Sequence, residues 1–221
     1  MNKRDIRTVI LDLDGTLLDT MQDIAYGINL MFARHNLPVL DISAFYPIIG
    51  FGIRKLIETA APDDAQSAVV EAVLQEYQKY YPEHCTERTV CFDGIEALLQ
   101  GLCEKGYELG VFTNKTESSA QKIISYYFPN IPFRFVWGDD GKRPLKPKLE
   151  AGHEICRILG RTPQQIMYIG DGDTDMKFAS GMGFYAVGVS WGYRKVEDLI
   201  ACGADTIVHT PQEILQLLEQ G

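Results

Sequence analysis

Short apolar runs rich in β-branched residues alternate along most of the chain with stretches whose apolar residues recur every three or four positions. The short runs are typical of buried strands, and the longer spacing is typical of helices with one buried face. Helices are indicated by Ile95, Leu98, Leu99 and Leu102, by Ile155, Ile158 and Leu159, and by Ile214, Leu215, Leu217 and Leu218. Strands are predicted at Thr8–Leu13, Glu108–Thr113, Phe133–Trp137, Ile166–Ile169, Tyr185–Val189 and Thr206–Val208. This alternation favours an α/β fold with a parallel sheet.

One long region interrupts the alternation. Between about Asp19 and Arg88 the apolar residues recur at helical spacing, and no convincing strand is present. A helical block of this length exceeds a simple crossover between two strands. We therefore expect an inserted helical domain, residues 19–87, on a core formed by residues 1–18 and 88–221. The hinges are expected near Leu17–Thr20 and Thr86–Asp93.

Acidic and polar residues follow the first four predicted strands. They are Asp12 and Asp14 after the first strand, Thr113 and Asn114 after the second, Lys146 after the third, and Asp171 and Asp175 after the fourth. In an open, Rossmann-like parallel sheet with helices on both faces, ligands bind outside the carboxyl ends of the strands. We therefore expect these side chains to converge on one crevice.

The types of residue in this set predict phosphoryl transfer assisted by Mg²⁺. Mg²⁺ prefers oxygen ligands, which Asp12, Asp171 and a backbone carbonyl such as that of Asp14 could supply. The metal and Lys146 would offset charge on the phosphoryl oxygens, and Thr113 could donate a hydrogen bond to them. Asp12 is then the expected nucleophile, and Asp14 the expected acid and base.

Composition narrows the class of partner. The formal net charge of -9 argues against nucleic acid or an anionic membrane as a partner, but a bound cation can still admit an anionic substrate. The five cysteines lack CxxC spacing, and neither a secretory signal nor a bilayer-length apolar segment is visible. We expect a cytoplasmic protein that binds a small phosphorylated metabolite. Monomer and homodimer both stay open.

In content and order, four motifs of the chain resemble those of the haloacid dehalogenase superfamily. They are Asp12-Leu13-Asp14-Gly15-Thr16-Leu17, Thr113-Asn114, Lys146-Pro147, and Gly170-Asp171 with Asp175. The helical insertion resembles the small α-helical cap of that superfamily. The stretch from Gly50 to Leu56 looks like the cap loop of its phosphoglycolate phosphatase-like branch. The chain departs from the family pattern at Leu149, where a second proline is usual.

The resemblance implies roles for individual residues. Asp12 would be the nucleophile and Asp14 the acid and base, with phosphate contacts from Thr113, Asn114 and Lys146. Magnesium would bind at Asp12, Asp14 and Asp171, with Asp175 as a supporting carboxylate. Further candidate substrate contacts are Lys115, Gly50, Arg54 and Thr20. Arg54 could bind a substrate carboxylate, and Asp19 and Thr20 are expected to cap the first helix of the insertion.

These observations predict a Mg²⁺-dependent phosphatase that hydrolyses a small phosphate monoester through an aspartyl-phosphate. Phosphoglycolate is the leading substrate, by resemblance alone. The alternatives are a pyrophosphatase, a nucleotidase, a phosphosugar phosphatase or mutase, and a non-catalytic protein that binds a phosphorylated ligand. A phosphonatase would need a cap lysine that forms a Schiff base, for which Lys55 is the candidate.

Overall fold

A six-stranded parallel sheet forms the centre of the computed structural model, which describes residues 5–220. Its strands are β1 (Thr8–Leu11), β4 (Glu108–Thr116), β5 (Phe133–Asp139), β6 (Ile166–Gly170), β7 (Tyr185–Val189) and β8 (Thr206–Val208). The strand order is β5-β4-β1-β6-β7-β8, and every neighbouring pair is parallel. The predicted α/β fold with a parallel sheet is confirmed.

Strand β1 ends two residues earlier than predicted. The carbonyl of Leu13 accepts hydrogen bonds from the N–H groups of Thr16, Leu17 and Leu18, so it closes a turn instead of pairing with a neighbouring strand. Gly15 lies in this turn with a φ of 80°, in the left-handed region that favours glycine. The turn aims the residues after β1 across the edge of the sheet.

Helices cover both faces of the sheet. Within β1, Val9 and Leu11 pack into one apolar cluster and Ile10 into the other, as the two-residue period of a strand requires. Outside the insertion the helices are α4 (Ile95–Glu104), α5 (Glu117–Tyr127), α6 (Glu150–Leu159), α7 (Asp173–Met182), α8 (Val196–Ala201) and α9 (Pro211–Gln220), with a 3₁₀ turn at Pro163–Gln165. Helices α4 and α9 pack against each other, as do α6 and α7.

The helical insertion contains α1 (Met21–Arg34), a 3₁₀ turn (Ile42–Ala44), α2 (Ile53–Ala60) and α3 (Ser67–His84). Two short strands flank it, β2 (Leu18–Asp19) and β3 (Val90–Cys91), and they pair antiparallel. Each strand has only two residues, which is too short for a periodic pattern, and the sequence did not predict them. We propose that this ribbon joins the two linkers of an inserted domain at residues 19–87.

Asp23, in the insertion, binds the second linker at Arg88 and Thr89. Its carboxylate is buried on α1 and accepts hydrogen bonds from the backbone N–H groups of Arg88 and Thr89 and from the Thr89 hydroxyl. A buried carboxylate is tolerated when its oxygens are satisfied in this way.

Across residues 5–220, no helix combines the length and the apolar character that crossing a bilayer demands.

Candidate active site

Three buried carboxylates meet at the carboxyl edge of the sheet. Asp12 follows β1, Asp171 follows β6, and Asp175 lies in the first turn of α7. One oxygen from each lies within 4.8 Å of one from each of the others. The structure thus brings together residues that are more than 150 positions apart in the chain.

Lys146 supplies a buried positive charge beside this triad. Its ammonium lies 2.7 Å from Oδ1 of Asp175 and 2.9 Å from Oδ1 of Asp12. It also donates to the carbonyl of Phe112 and to the hydroxyl of Tyr168. Burial alone lowers the pKa of Lys146, but the two carboxylates outweigh burial and raise it above its usual value. Lys146 is therefore held as a cation.

Two of these carboxyl groups, Asp12 and Asp171, resist ionisation. Burial, and next the charge of Asp175, raise the pKa of Asp12 to about 7, although Lys146 acts in the opposite direction. Burial, Asp175 and Asp12 raise the pKa of Asp171 to about 8. One lysine does not balance three acids at such close range, so the site favours a further cation.

The donor set fits Mg²⁺. Oδ1 of Asp12 is buried and accepts no well-directed hydrogen bond from any residue in the range 5–220, although the Lys146 ammonium lies close to it. Carboxylate oxygens are the ligands that Mg²⁺ prefers. In contrast, both oxygens of Asp175 already accept hydrogen bonds, from Lys146, Tyr168 and the N–H of Gly172. By this criterion Asp12 is better placed than Asp175 to bind a metal directly.

Asp171 lies against main chain on two sides. A Cβ atom at Gly15 would lie 2.3 Å from its Oδ2 atom, and one at Gly192 would lie 2.2 Å from its Cβ atom. Its two oxygens accept hydrogen bonds from the Thr16 hydroxyl, at 3.0 Å, and from the backbone N–H of Tyr193, at 2.7 Å. The two glycines allow the backbone to approach closely enough to fix the carboxylate in place.

Asp14 lies outside the carboxylate triad. Its Oδ1 atom accepts hydrogen bonds from the Thr20 hydroxyl at 2.6 Å and from the Lys115 ammonium at 2.8 Å. The side chain of Asp14 is therefore oriented by these two donors, and its predicted metal contact through the main-chain carbonyl stays a prediction.

Thr20 precedes α1 but does not cap it with its side chain, contrary to expectation, because its hydroxyl is used by Asp14. Asp19 takes the capping role instead, since its Oδ1 atom accepts the N–H of Met21.

Thr113 and Asn114, both within β4, differ in whether their side chains are available to bind a ligand. The Thr113 hydroxyl oxygen accepts a hydrogen bond from the N–H of Lys115, which leaves its proton available to a ligand. The amide of Asn114 instead donates to the carbonyls of Gly50 and Lys146 and accepts the N–H of Lys146. In this conformation Asn114 ties the Lys146 loop to the insertion, and its predicted phosphate contact stays a prediction.

A cavity of about 60 Å³ lies between the carboxylates and the helical insertion. The insertion contributes one wall, formed by Ile24, Ile49, Gly50, Gly52, Ile53, Leu56, Tyr77 and Tyr81. The core contributes the acids together with Thr113, Asn114, Lys115, Tyr193 and Arg194, among others. Gly50 and Lys115 thus line the cavity, and their predicted contacts with substrate stay predictions.

Arg54 lies elsewhere. Its side chain is 59% exposed and pairs with Glu71 at 2.8 Å, on the outer side of the insertion. Helix α2 buries Leu56, Ile57 and Ala60, and this choice of buried face turns Arg54 towards solvent. Arg54 is not among the residues that line the cavity, and its predicted contact with substrate stays a prediction.

Four residues that line the cavity were not predicted from the sequence: Tyr77, Tyr81, Tyr193 and Arg194. Tyr77 and Tyr81 have the helical spacing of packing residues, which hid their place in the cavity wall. Tyr193 and Arg194 follow β7 and therefore lie at the same carboxyl edge as the acids. The rule that ligands bind at this edge, applied to β7 as well, would have indicated them.

Comparison with known proteins agrees with this geometry. Residues 9–189 match the model of the family described as haloacid dehalogenase-like hydrolase. The chain is 32% identical to an N-acetylmuramic acid 6-phosphate phosphatase of Pseudomonas aeruginosa, with 100% of this chain and 98% of that protein covered. It is 30% identical to a phosphoglycolate phosphatase of Chromobacterium violaceum, with 100% of both covered.

The fold also has counterparts among solved structures. A haloacid dehalogenase-like family hydrolase from Streptococcus pneumoniae superimposes with a TM-score of 0.85 at 25% identity, covering 96% of this chain and 98% of that one. Family, fold and the four motifs at the carboxyl edge agree along nearly the whole length. The chain therefore belongs to the haloacid dehalogenase-like hydrolases.

Proposed function

We propose that this protein is a Mg²⁺-dependent phosphatase that hydrolyses a small phosphate monoester through an aspartyl-phosphate on Asp12. The observation that carries the proposal is the buried triad of Asp12, Asp171 and Asp175 against a single lysine, with Asp14 beside it. This arrangement offers a nucleophile, an acid and base, and a net negative charge that calls for a metal.

Asp12 is the proposed nucleophile. It lines the cavity, and its Oδ1 atom lies 2.9 Å from the Lys146 ammonium. In the first step this carboxylate forms a bond to phosphorus as the bond from phosphorus to the ester oxygen breaks. In the second step water attacks the phosphorus, and the carboxylate of Asp12 is released with inorganic phosphate.

Asp14 is the proposed acid and base. It would give a proton to the departing alcohol oxygen and later take one from the attacking water, a pair of roles typically worth about 10²–10⁴-fold in rate. The hydroxyl of Thr20 and the ammonium of Lys115 hold its Oδ1 atom, which leaves the other oxygen to exchange that proton.

Charge on the phosphoryl group would be stabilised by Lys146, by the hydroxyl of Thr113 and by the metal. Asp12 and Asp171, with the main-chain carbonyl of Asp14, would hold Mg²⁺, and the ion would offset negative charge on the phosphoryl group. The ion pairs of Lys146 keep it cationic, and its burial strengthens its action on a nearby anion.

Phosphoglycolate is the first substrate candidate. Curated relatives at about 30% identity over nearly the whole chain carry that name. A cavity of about 60 Å³ is also small, because a single water already needs about 10–15 Å³ measured with a similar probe. This volume favours a phosphoryl group with a short leaving group. A sugar phosphate is the second candidate, since another relative is named an N-acetylmuramic acid 6-phosphate phosphatase.

The test is release of inorganic phosphate from a panel of phosphoglycolate, hexose phosphates, nucleoside monophosphates and pyrophosphate, with Mg²⁺ and with a chelator. Asp12→Asn is the inactive variant, and Asp64→Asn, at an exposed position of the insertion, is the matched control. We expect release that needs Mg²⁺, disappears in Asp12→Asn and persists in Asp64→Asn. Release from no member of the panel by the folded protein would overturn the proposal.

A further inference from the structure

Four consecutive residues after β7, Trp191-Gly192-Tyr193-Arg194, touch both the carboxylate triad and the helical insertion. We call residues 191–194 the strap. On the side of the core, the indole N–H of Trp191 donates to the carbonyl of Thr16, at 3.0 Å. The N–H of Tyr193 donates to Asp171, and Gly192 packs directly against that carboxylate. The strap is thus part of the wall that orients Asp171.

The same strap reaches the first linker of the insertion. The Tyr193 hydroxyl accepts the N–H of Thr20 at 3.0 Å and donates to Oδ1 of Asp19 at 2.9 Å. Thr20 in turn donates to Asp14, the proposed acid and base. The phenol of Tyr193 is therefore connected to Asp14 through Thr20.

Arg194 reaches the loop that precedes α2. Its guanidinium donates to the carbonyls of Tyr46 and Ile49, the latter at 2.6 Å, and lies 3.4 Å from Asp173. The ring of Tyr193 adds a contact with that of Tyr46, 5.4 Å between centroids. Three acceptors around one planar group use the geometry that only arginine provides.

The anchored loop also lines the cavity, through Ile49 and Gly50. Gly50, next to Ile49, directs its carbonyl to the amide of Asn114, at 2.8 Å. Residues 46–50 are thus held from two sides of the crevice, by Arg194 after β7 and by Asn114 in β4. Asn114 also holds the Lys146 loop. Within residues 5–220, the side-chain hydrogen bonds of Arg194 go only to Tyr46, Ile49 and Asp173.

We propose that Tyr193 and Arg194 are positioning residues that seat the insertion on the crevice, and that Arg194 thereby sets the preference for small substrates. The proposal rests on the function proposed above. Neither side chain has to touch the reacting atoms. Their effect passes through the loop 46–50, through Thr20 and through the orientation of Asp171. Releasing Arg194 should open the cavity to larger esters while it weakens the hold on small ones.

The test compares Arg194→Gln, Arg194→Lys and Tyr193→Phe with wild type, using phosphoglycolate and p-nitrophenyl phosphate as small and bulky esters. The matched control is Arg157→Gln, because Arg157 is 75% exposed on α6. In Arg194→Gln we expect the KM for phosphoglycolate to rise about tenfold, the equivalent of one charge-assisted hydrogen bond. The KM for p-nitrophenyl phosphate should stay level or fall. Arg194→Lys should lie between, since an ammonium cannot span both carbonyls.

A merely structural role would lower the activity towards both esters in proportion, and an unchanged ratio of kcat/KM values would therefore overturn the proposal. Amide hydrogen exchange of residues 46–52 supplies a readout that needs no turnover. We expect faster exchange there in Arg194→Gln and none of this change in Arg157→Gln. If wild type cleaves neither ester, the proposed function fails, and the exchange rates alone then decide whether Arg194 seats the loop.

Discussion

The ammonium of Lys146 lies 2.7 Å from Oδ1 of Asp175, and both side chains are only 1% exposed. Such a pair is expensive to break, because the remaining partner keeps a buried charge. We expect Lys146→Met to lower the free energy of unfolding by about 3–5 kcal/mol at pH 8. The loss should be smaller at pH 5, where Asp12, whose pKa is about 7, is protonated. Urea unfolding of wild type and Lys146→Met at pH 8 and at pH 5 measures the loss of stability at each pH.

Two further variants sharpen this test. Lys122→Met removes an exposed lysine that pairs with Glu83 at 3.4 Å and should change stability little. Lys146→Met combined with Asp175→Asn removes both charges and should recover part of the loss. An equal loss at both pH values, with no recovery in the double variant, would show that packing and not charge explains the effect.

The raised pKa values of Asp12 and Asp171 predict how metal-free protein responds to pH. Between the usual carboxylate range and about pH 8, the folded state binds more protons than the unfolded state. Stability therefore falls as pH rises through this window, which spans about pH 4 to 8. Mg²⁺ binds the ionised carboxylates, so it should stabilise the protein more at pH 8 than at pH 6.

Thermal unfolding with a chelator and with Mg²⁺ at these pH values checks the prediction. Asp12→Asn removes one of the buried charges that lower the stability of the metal-free protein as pH rises. Without metal, this variant should therefore be more stable than wild type at pH 8 and close to wild type at pH 5. Metal-free stability that rises between pH 5 and 8 would contradict the assignment of the triad.

The positions of Asp12, Asp171 and Lys146 were predictable because strand ends in a parallel sheet converge by topology, whatever the details of packing. The contacts of Arg194 were not, since its acceptors are the main-chain carbonyls of Tyr46 and Ile49, which leave no mark in the sequence. The pairing of β2 with β3 could not be predicted either, because strands of two residues show no periodic pattern. This pairing depends on where the linkers cross, which is a tertiary property.

The exposed position of Arg54, in contrast, could have been predicted from the sequence. Ile53, Leu56, Ile57 and Ala60 define the apolar face of α2, and Arg54 lies beside that face with Glu58 one turn further on. We expect Arg54→Gln to leave kcat and KM for phosphoglycolate within about twofold of wild type, because an exposed ion pair contributes little. Steady-state kinetics decides this. A large rise in KM with unchanged kcat would mean that α2 turns towards the crevice when substrate binds.

The proposed role of Asp14 makes a prediction that depends on the leaving group. Asp14→Asn should lower kcat by about 10²–10⁴-fold for an alkyl phosphate, whose alkoxide needs a proton. The first step should suffer less with p-nitrophenyl phosphate, since nitrophenolate departs without one. The second step still lacks its base, so the phosphorylated Asp12 should accumulate. Intact-protein mass spectrometry would detect the added phosphoryl group, and an equal loss for both esters without accumulation would contradict the role.

Tyr81 connects stability with substrate binding. Its hydroxyl is buried in the cavity wall and has no hydrogen-bond partner within residues 5–220, while its ring lies 4.7 Å from the Lys115 ammonium. An unpaired buried hydroxyl costs about 1–3 kcal/mol, and Tyr81→Phe removes that cost but keeps the ring contact with Lys115. We expect the free protein to gain stability, by about 1 kcal/mol. We also expect kcat/KM for the phosphate ester to fall, because a substrate in the cavity would supply the missing partner.

Tyr126→Phe, at a position that is 64% exposed, is the control and should change neither quantity. Denaturant unfolding and kinetics on the same preparations separate the two effects, and a loss of stability in Tyr81→Phe would show that the hydroxyl is already paired in the free protein.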